Sequence, residues 1–152
     1  MSRFLGLFLL STFGVVQATQ AADPPSKNLT TIVVADGPFA GTYTADNTAC
    51  LTVKARDTFG SGWKAFSNHP KTKTLEEAGI QADRVNAEGG KTGSIVVKFA
   101  DGVSDKLVDY SLSNVPVTLK RNGTGGQLTF DGKTKDGVRL KISANCVEVE
   151  AF

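Results

Sequence analysis

The sequence predicts an all-β chain, a single-domain antiparallel β-sandwich or β-barrel of about 8–10 short strands, with one short helix near residues 75–83 and one disulfide. Three observations lead there. Apolar residues recur with period two through most of the chain. Turn dipeptides rich in Asn, Asp and Gly interrupt those runs. Two cysteines only, Cys50 and Cys146, stand near the two ends of the alternating region.

The strands follow in order. Thr31-Ile32-Val33-Val34 is β-branched throughout, and Gly41-Thr42-Tyr43-Thr44 comes after a Gly37-Pro38 turn signal. From Cys50 to Ala55, Leu51, Val53 and Ala55 alternate with Thr52 and Lys54. Ile95, Val97 and Phe99 form a further set, then Val108, Tyr110 and Leu112, then Val115, Val117 and Leu119, then Leu128 and Phe130. The clearest case is 138–144, where Val138, Leu140, Ile142 and Ala144 share one face and Arg139, Lys141 and Ser143 the other. Such alternation marks a strand with one wet face.

Asp101-Gly102, Asn122-Gly123, Gly125-Gly126, Asp131-Gly132 and Asp136-Gly137 are read as turns, because Gly, Asn and Asp accept the positive φ of tight hairpins. At Asn145-Cys146 the apolar parity flips, since Val147 and Val149 are odd-numbered, and a bulge or bend is expected there. Residues 57–93 alternate weakly and read as an irregular connection. Within it, Thr74-Leu75-Glu76-Glu77 has the capping-box pattern, which predicts the helix, although Gly79 opposes it.

Residues 1–22 have the pattern of a secretory signal peptide. Arg3 is followed by an apolar stretch from Phe4 to Val16, then by small residues up to Ala22. The stretch is shorter than the roughly 20 residues a membrane-spanning helix needs. Residues 23–28, with Pro24 and Pro25, read as a mobile polar leader, and 29–152 as the β-domain. The expected location is secreted or periplasmic, where an even cysteine count favours a Cys50–Cys146 bridge. Neither cysteine belongs to a Cys-x-x-Cys pair, so no redox motif is present.

Charge and residue inventory narrow the function. The chain of 152 residues has 17 Lys+Arg against 15 Asp+Glu, and no dense basic run marks it for nucleic acid. His69 is the only histidine, which removes His-rich metal centres, and no Gly-x-Ser-x-Gly elbow accompanies it. Glu88-Gly89-Gly90-Lys91-Thr92 lacks the first glycine of a phosphate loop, because Val85 stands there. Asn28-Leu29-Thr30 and Asn122-Gly123-Thr124 match the glycosylation pattern. Among the carboxylates, Asp101, Asp105 and Asp109, Asp131 and Asp136, and Glu148 and Glu150 group in sequence, mostly beside turn glycines or on a wet strand face.

The positive signal is aromatic. Phe59-Gly60-Ser61-Gly62-Trp63 places the sole Trp in a glycine-flanked segment, with Lys64 beside it and Phe66 three residues on. An exposed Trp next to a cation can stack on a sugar or anchor a partner; a buried one fills the core. On a strand, Trp63 and Phe66 have opposite parity. The expectation is therefore an exported, soluble, monomeric, non-enzymatic binding or interaction module without cofactor or metal. Trp63, Phe66 and Lys64 are its candidate binding residues, and its partner is a protein, a glycan or an apolar ligand. A secreted inhibitor is one version. The alternatives are a small secreted hydrolase using two carboxylates, and a structural component of a surface assembly.

Overall fold

A computed structural model describes residues 27–65, 74–86, 92–102 and 106–152. They form two sheets that enclose one hydrophobic core. Twelve strands occur among the described residues, against the eight to ten expected, because β4 and β5 form within the stretch read as irregular and the chain end adds β12. In chain order they are β1 (Leu29–Val34), β2 (Gly41–Asp46), β3 (Ala49–Val53), β4 (Thr58–Lys64), β5 (Thr74–Asp83), β6 (Thr92–Ala100), β7 (Leu107–Asp109), β8 (Leu112–Pro116), β9 (Thr118–Asn122), β10 (Gly125–Lys133), β11 (Arg139–Cys146) and β12 (Glu150–Ala151). One sheet has the order β2-β1-β11-β10-β9; the other runs β12-β3-β4-β5-β6-β7, with β8 also pairing to β6. All pairings are antiparallel except β12 on β3.

The period-two pattern decides what faces inward. Ile32, Val34, Leu128, Phe130, Leu140, Ile142 and Ala144 of the five-stranded sheet are buried against Phe59, Ala78, Ile80, Ala82, Ile95, Val97 and Phe99 of the other. Burying aliphatic and aromatic side chains of this size is worth about 1.5–3 kcal/mol each. One end of the core is closed by rings: Phe99 lies 4.7 Å from both Phe39 and Tyr43, centre to centre, and 6.0 Å from Tyr110. At the β9 edge the Arg121 guanidinium sits 4.4 Å over the ring of the fully buried Phe59.

Cys50 and Cys146 are joined, 96 positions apart, and the bond ties β3 of one sheet to β11 of the other. After Cys146 the chain leaves its sheet, turns at 147–148, and returns as β12 beside β3. The parity flip therefore marks a change of sheet just past Cys146. Asn28 holds that turn: its Oδ1 accepts from the N–H groups of Val147 (2.7 Å) and Glu148 (2.9 Å), and its Nδ2 donates to the Glu148 carbonyl (2.8 Å). Lys27 pairs with Asp46 at 3.2 Å. The last two residues of the expected mobile leader are thus fastened to the sandwich, and the Asn28 amide is engaged within the fold.

Three expectations are corrected. Residues 75–83 form no helix; they lie within β5. Ala78, Ile80 and Ala82 alternate inward, and β4 and β6 offer backbone partners on both edges. Thr74 Oγ1 donates to Glu76 Oε1 at 3.0 Å, so its hydroxyl serves Glu76 rather than a helix N-terminus. The only helical segment among the described residues is the short 3-10 turn Lys54–Arg56. The stretch 57–93 is not an irregular connection where it is described, because β4, β5 and the start of β6 fill most of it. Gly125-Gly126 and Asp131-Gly132 lie inside β10 and make no turn. A Cβ on Gly125 would come within 2.3 Å of the Cys146 carbonyl, and one on Gly132 within 2.7 Å of the Phe130 ring, so glycine there permits close approach. Asn122-Gly123 and Asp136-Gly137 do mark hairpins, with Gly123 at φ 59° and Gly137 at φ 83°.

Candidate functional site

The outer face of the β3–β6 sheet has a floor with three glycines on two neighbouring strands. On β4, Phe59, Ser61 and Trp63 point inward by alternation, so Gly60 and Gly62 stand on the outside. Ser61, between them, is anchored beneath the floor, where its Oγ lies 2.9 Å from Thr30 Oγ1 of the opposite sheet. Register then aligns four rows across the strands. Lys64 stands against Glu77 and Lys98. Next come Ala49, Gly62, Gly79 and Val96, then Leu51, Gly60, Gln81 and Ser94, and finally Val53, Thr58, Asp83 and Thr92. Rows on one face are about 7 Å apart, so the four span roughly 20 Å along the strands.

The result is a depression of about 500 Å³, within the range of small-molecule sites. Leu51 and Val53 form one wall, Val96 with Ser94 the other, and Gly60, Gly62 and Gly79 the floor. Leu51 is 38 % exposed, high for a leucine on a β-sheet. Phe152 continues past β12, donating its N–H to the Thr52 carbonyl and accepting from Lys54 N–H, both at 3.0 Å. Those bonds set it opposite Val53, and its 70 % exposure adds apolar surface beside that wall. A Cβ on Gly62 would meet nothing within 4 Å. Packing therefore does not require glycine there.

Lys64, Glu77 and Lys98 lie at one end, and the Asp83 carboxylate stands in the row at the other, where its Oδ1 accepts from Gln81 Nε2 at 2.7 Å. Glu77 is bound by Lys98, 2.8 Å from Nζ to Oε2, and this hydrogen bond, with the nearby Asp109 charge, holds the Lys98 ammonium above its usual range. Burial pushes the Asp109 carboxyl up, but hydrogen bonding from Ser111 and the charges of Lys98 and Lys135 outweigh that, and it lies below its usual value. Lys64 is exposed and forms no ion pair with any described residue.

Of the residues singled out in the sequence, Lys64 and Trp63 both border the depression. The Trp63 indole is half-buried and packs against the core, so it is no exposed stacking platform. Phe66 and His69 lie outside the described residues, as do residues 1–22. The sequence reading missed Gly60, Gly62 and Gly79. For Gly60 and Gly62 the signal was present as glycine at every other position of an otherwise inward-alternating segment.

The grouped carboxylates fall in different places. Asp131 is exposed on β10 and Asp136 in the β10–β11 turn, whereas Glu148 and Glu150 are exposed around β12. Asp109 Oδ1 accepts from the Ser111 N–H at 2.8 Å. Among the described residues, no three His, Cys, Asp or Glu side chains are placed to hold a metal ion, and no helix is long and apolar enough to cross a membrane. Comparison with known protein families, curated proteins and solved structures finds no match.

Proposed function

We propose that this chain is an exported, non-enzymatic binding module whose site is the glycine-floored trough on the outer face of β3–β6. The observation that carries the reading is the open space over Gly62. Strand interiors disfavour glycine, which weakens the strand and packs nothing. Here the floor keeps three, and at Gly62 no neighbour forbids a side chain. A sheet that gives up stabilising side chains in one contiguous patch gains a concavity, and aliphatic walls make that concavity suited to an apolar ligand. A glycan fits less well, because Trp63, which lines the trough, is turned toward the core and offers no open ring face for a sugar to stack on.

Export is supported by the leader pattern of residues 1–22 and by the bridge between Cys50 and Cys146, which persists in oxidising compartments. The test of the site uses Nile red, a neutral apolar dye whose emission rises and shifts to the blue on leaving water. The wild-type chain is expected to bind it saturably, and Gly62→Val to abolish binding while remaining folded. Equal dye binding by the two proteins would reject the trough as the site.

A further inference from the structure

Resting on the trough reading, we propose that the natural ligand class is a single-chain amphiphile with an anionic head, seated with its head at Lys64 and its apolar tail along Leu51, Val53 and Val96. Two features of the site point to it. The trough runs along the strands and is polarised: the row at one end holds Lys64 and Lys98 around Glu77, the row at the other holds the Asp83 carboxylate, and the aliphatic walls lie between. Among the described residues, two charged side chains line it, Lys64 and Glu77. Glu77 already accepts from Lys98 at 2.8 Å, which leaves Lys64 as the group free to meet an incoming charge.

The cation on Lys64 favours a carboxylate, phosphate or sulfonate head over a neutral or cationic one. Its exposed position keeps the head at the water boundary while the tail is withdrawn from solvent. Over Gly60, Gly62 and Gly79 an extended tail can lie close to the backbone of β4 and β5, with the Gln81 side chain bordering it on β5. The width between Leu51 on β3 and Val96 on β6 spans four adjacent strands, about 14 Å from first to last. That admits a single chain with room on either side.

The experiment is calorimetric titration of the full chain with dodecanoate, 1-dodecanol and dodecylammonium, each below its self-association limit. Dodecanoate is expected to bind roughly fivefold or more tightly than dodecanol, and dodecylammonium more weakly than both. Lys64→Gln is expected to bring dodecanoate down to the dodecanol value while leaving dodecanol unchanged, and Lys64→Arg to restore the preference. Equal binding of all three, a preference for dodecylammonium, or a dodecanoate affinity untouched by Lys64→Gln would overturn the proposal. If Nile red still bound and was still blocked by Gly62→Val, the trough would stand without its anionic preference. If neither the dye nor any amphiphile bound, both readings would fall together. Comparing dodecanoate with dodecyl phosphate and dodecyl sulfonate separates a carboxylate-specific contact from general attraction to an anion.

Discussion

The two outer faces of the sandwich solve the same problem in opposite ways. On the five-stranded sheet, one row crosses every strand as Thr44, Thr31, Ser143, Thr129 and Thr118, all hydroxyl-bearing and all placed in register. Threonine suits such a face, because its branched Cβ favours the strand while its hydroxyl stays in water. On the other sheet the corresponding surface carries Gly60, Gly62 and Gly79 between aliphatic neighbours. The first face is filled for stability and the second is emptied. Packing accounts for part of the contrast, since a Cβ on Gly79 would stand 3.1 Å from the Ser61 carbonyl oxygen, but not for Gly62, where a Cβ meets nothing within 4 Å.

The largest effect on this contrast comes from separating the two sheets. Replacing Cys50 and Cys146 together by Ala is expected to cost about 4 kcal/mol in the chain-entropy account of a loop this long, measured by urea unfolding. Both faces would loosen together. Next comes the difference between two glycines of the same sheet. A Cβ on Gly93 would stand 1.8 Å from the Gln81 carbonyl oxygen, whereas one on Gly62 meets nothing. Gly93→Ala is therefore expected to destabilise by about 3 kcal/mol or more, in the range of severe backbone clashes, and Gly62→Ala not at all. Equal losses would mean that the Gly62 position is constrained by the fold.

A reciprocal exchange sharpens the comparison further. Gly62→Thr is expected to stabilise the protein, and Thr31→Gly to destabilise it, each by up to about 1 kcal/mol, read from denaturant midpoints. The smallest effect is electrostatic and lies at the Lys64 end of the trough. The Asp109 carboxyl is lowered in the folded chain, so its contribution is full above its unfolded value near pH ~4 and is lost as pH falls through the folded one. Asp109→Asn should therefore flatten the decline of stability below about pH 4 and leave neutral-pH dye binding unchanged.

The contrast also explains what the sequence revealed. Strands such as β11 were legible because Val138, Leu140, Ile142 and Ala144 alternate with Arg139, Lys141 and Ser143. The Cys50–Cys146 bridge was legible from an even cysteine count taken with the leader pattern of residues 1–22. β5 was misread because Thr74 and Glu77 imitate a helix start, and only pairing with β4 and β6 decides the matter. The trough was hidden for a related reason. Glycine in Phe59-Gly60-Ser61-Gly62-Trp63 reads as a loop unless one knows that Phe59, Ser61 and Trp63 share the inner face. Gly79 joins the floor only through register with β4, a contact between segments that local pattern does not encode.

The most direct test is a map of backbone amide shifts in 15N-labelled protein as dodecanoate is added. Binding in the trough predicts that the moving amides belong to residues 49–53, 58–64, 77–81 and 94–96, while those of Thr44, Thr31, Ser143, Thr129 and Thr118 stay in place. Shifts centred on the threonine row, or spread evenly over both sheets, would contradict the account.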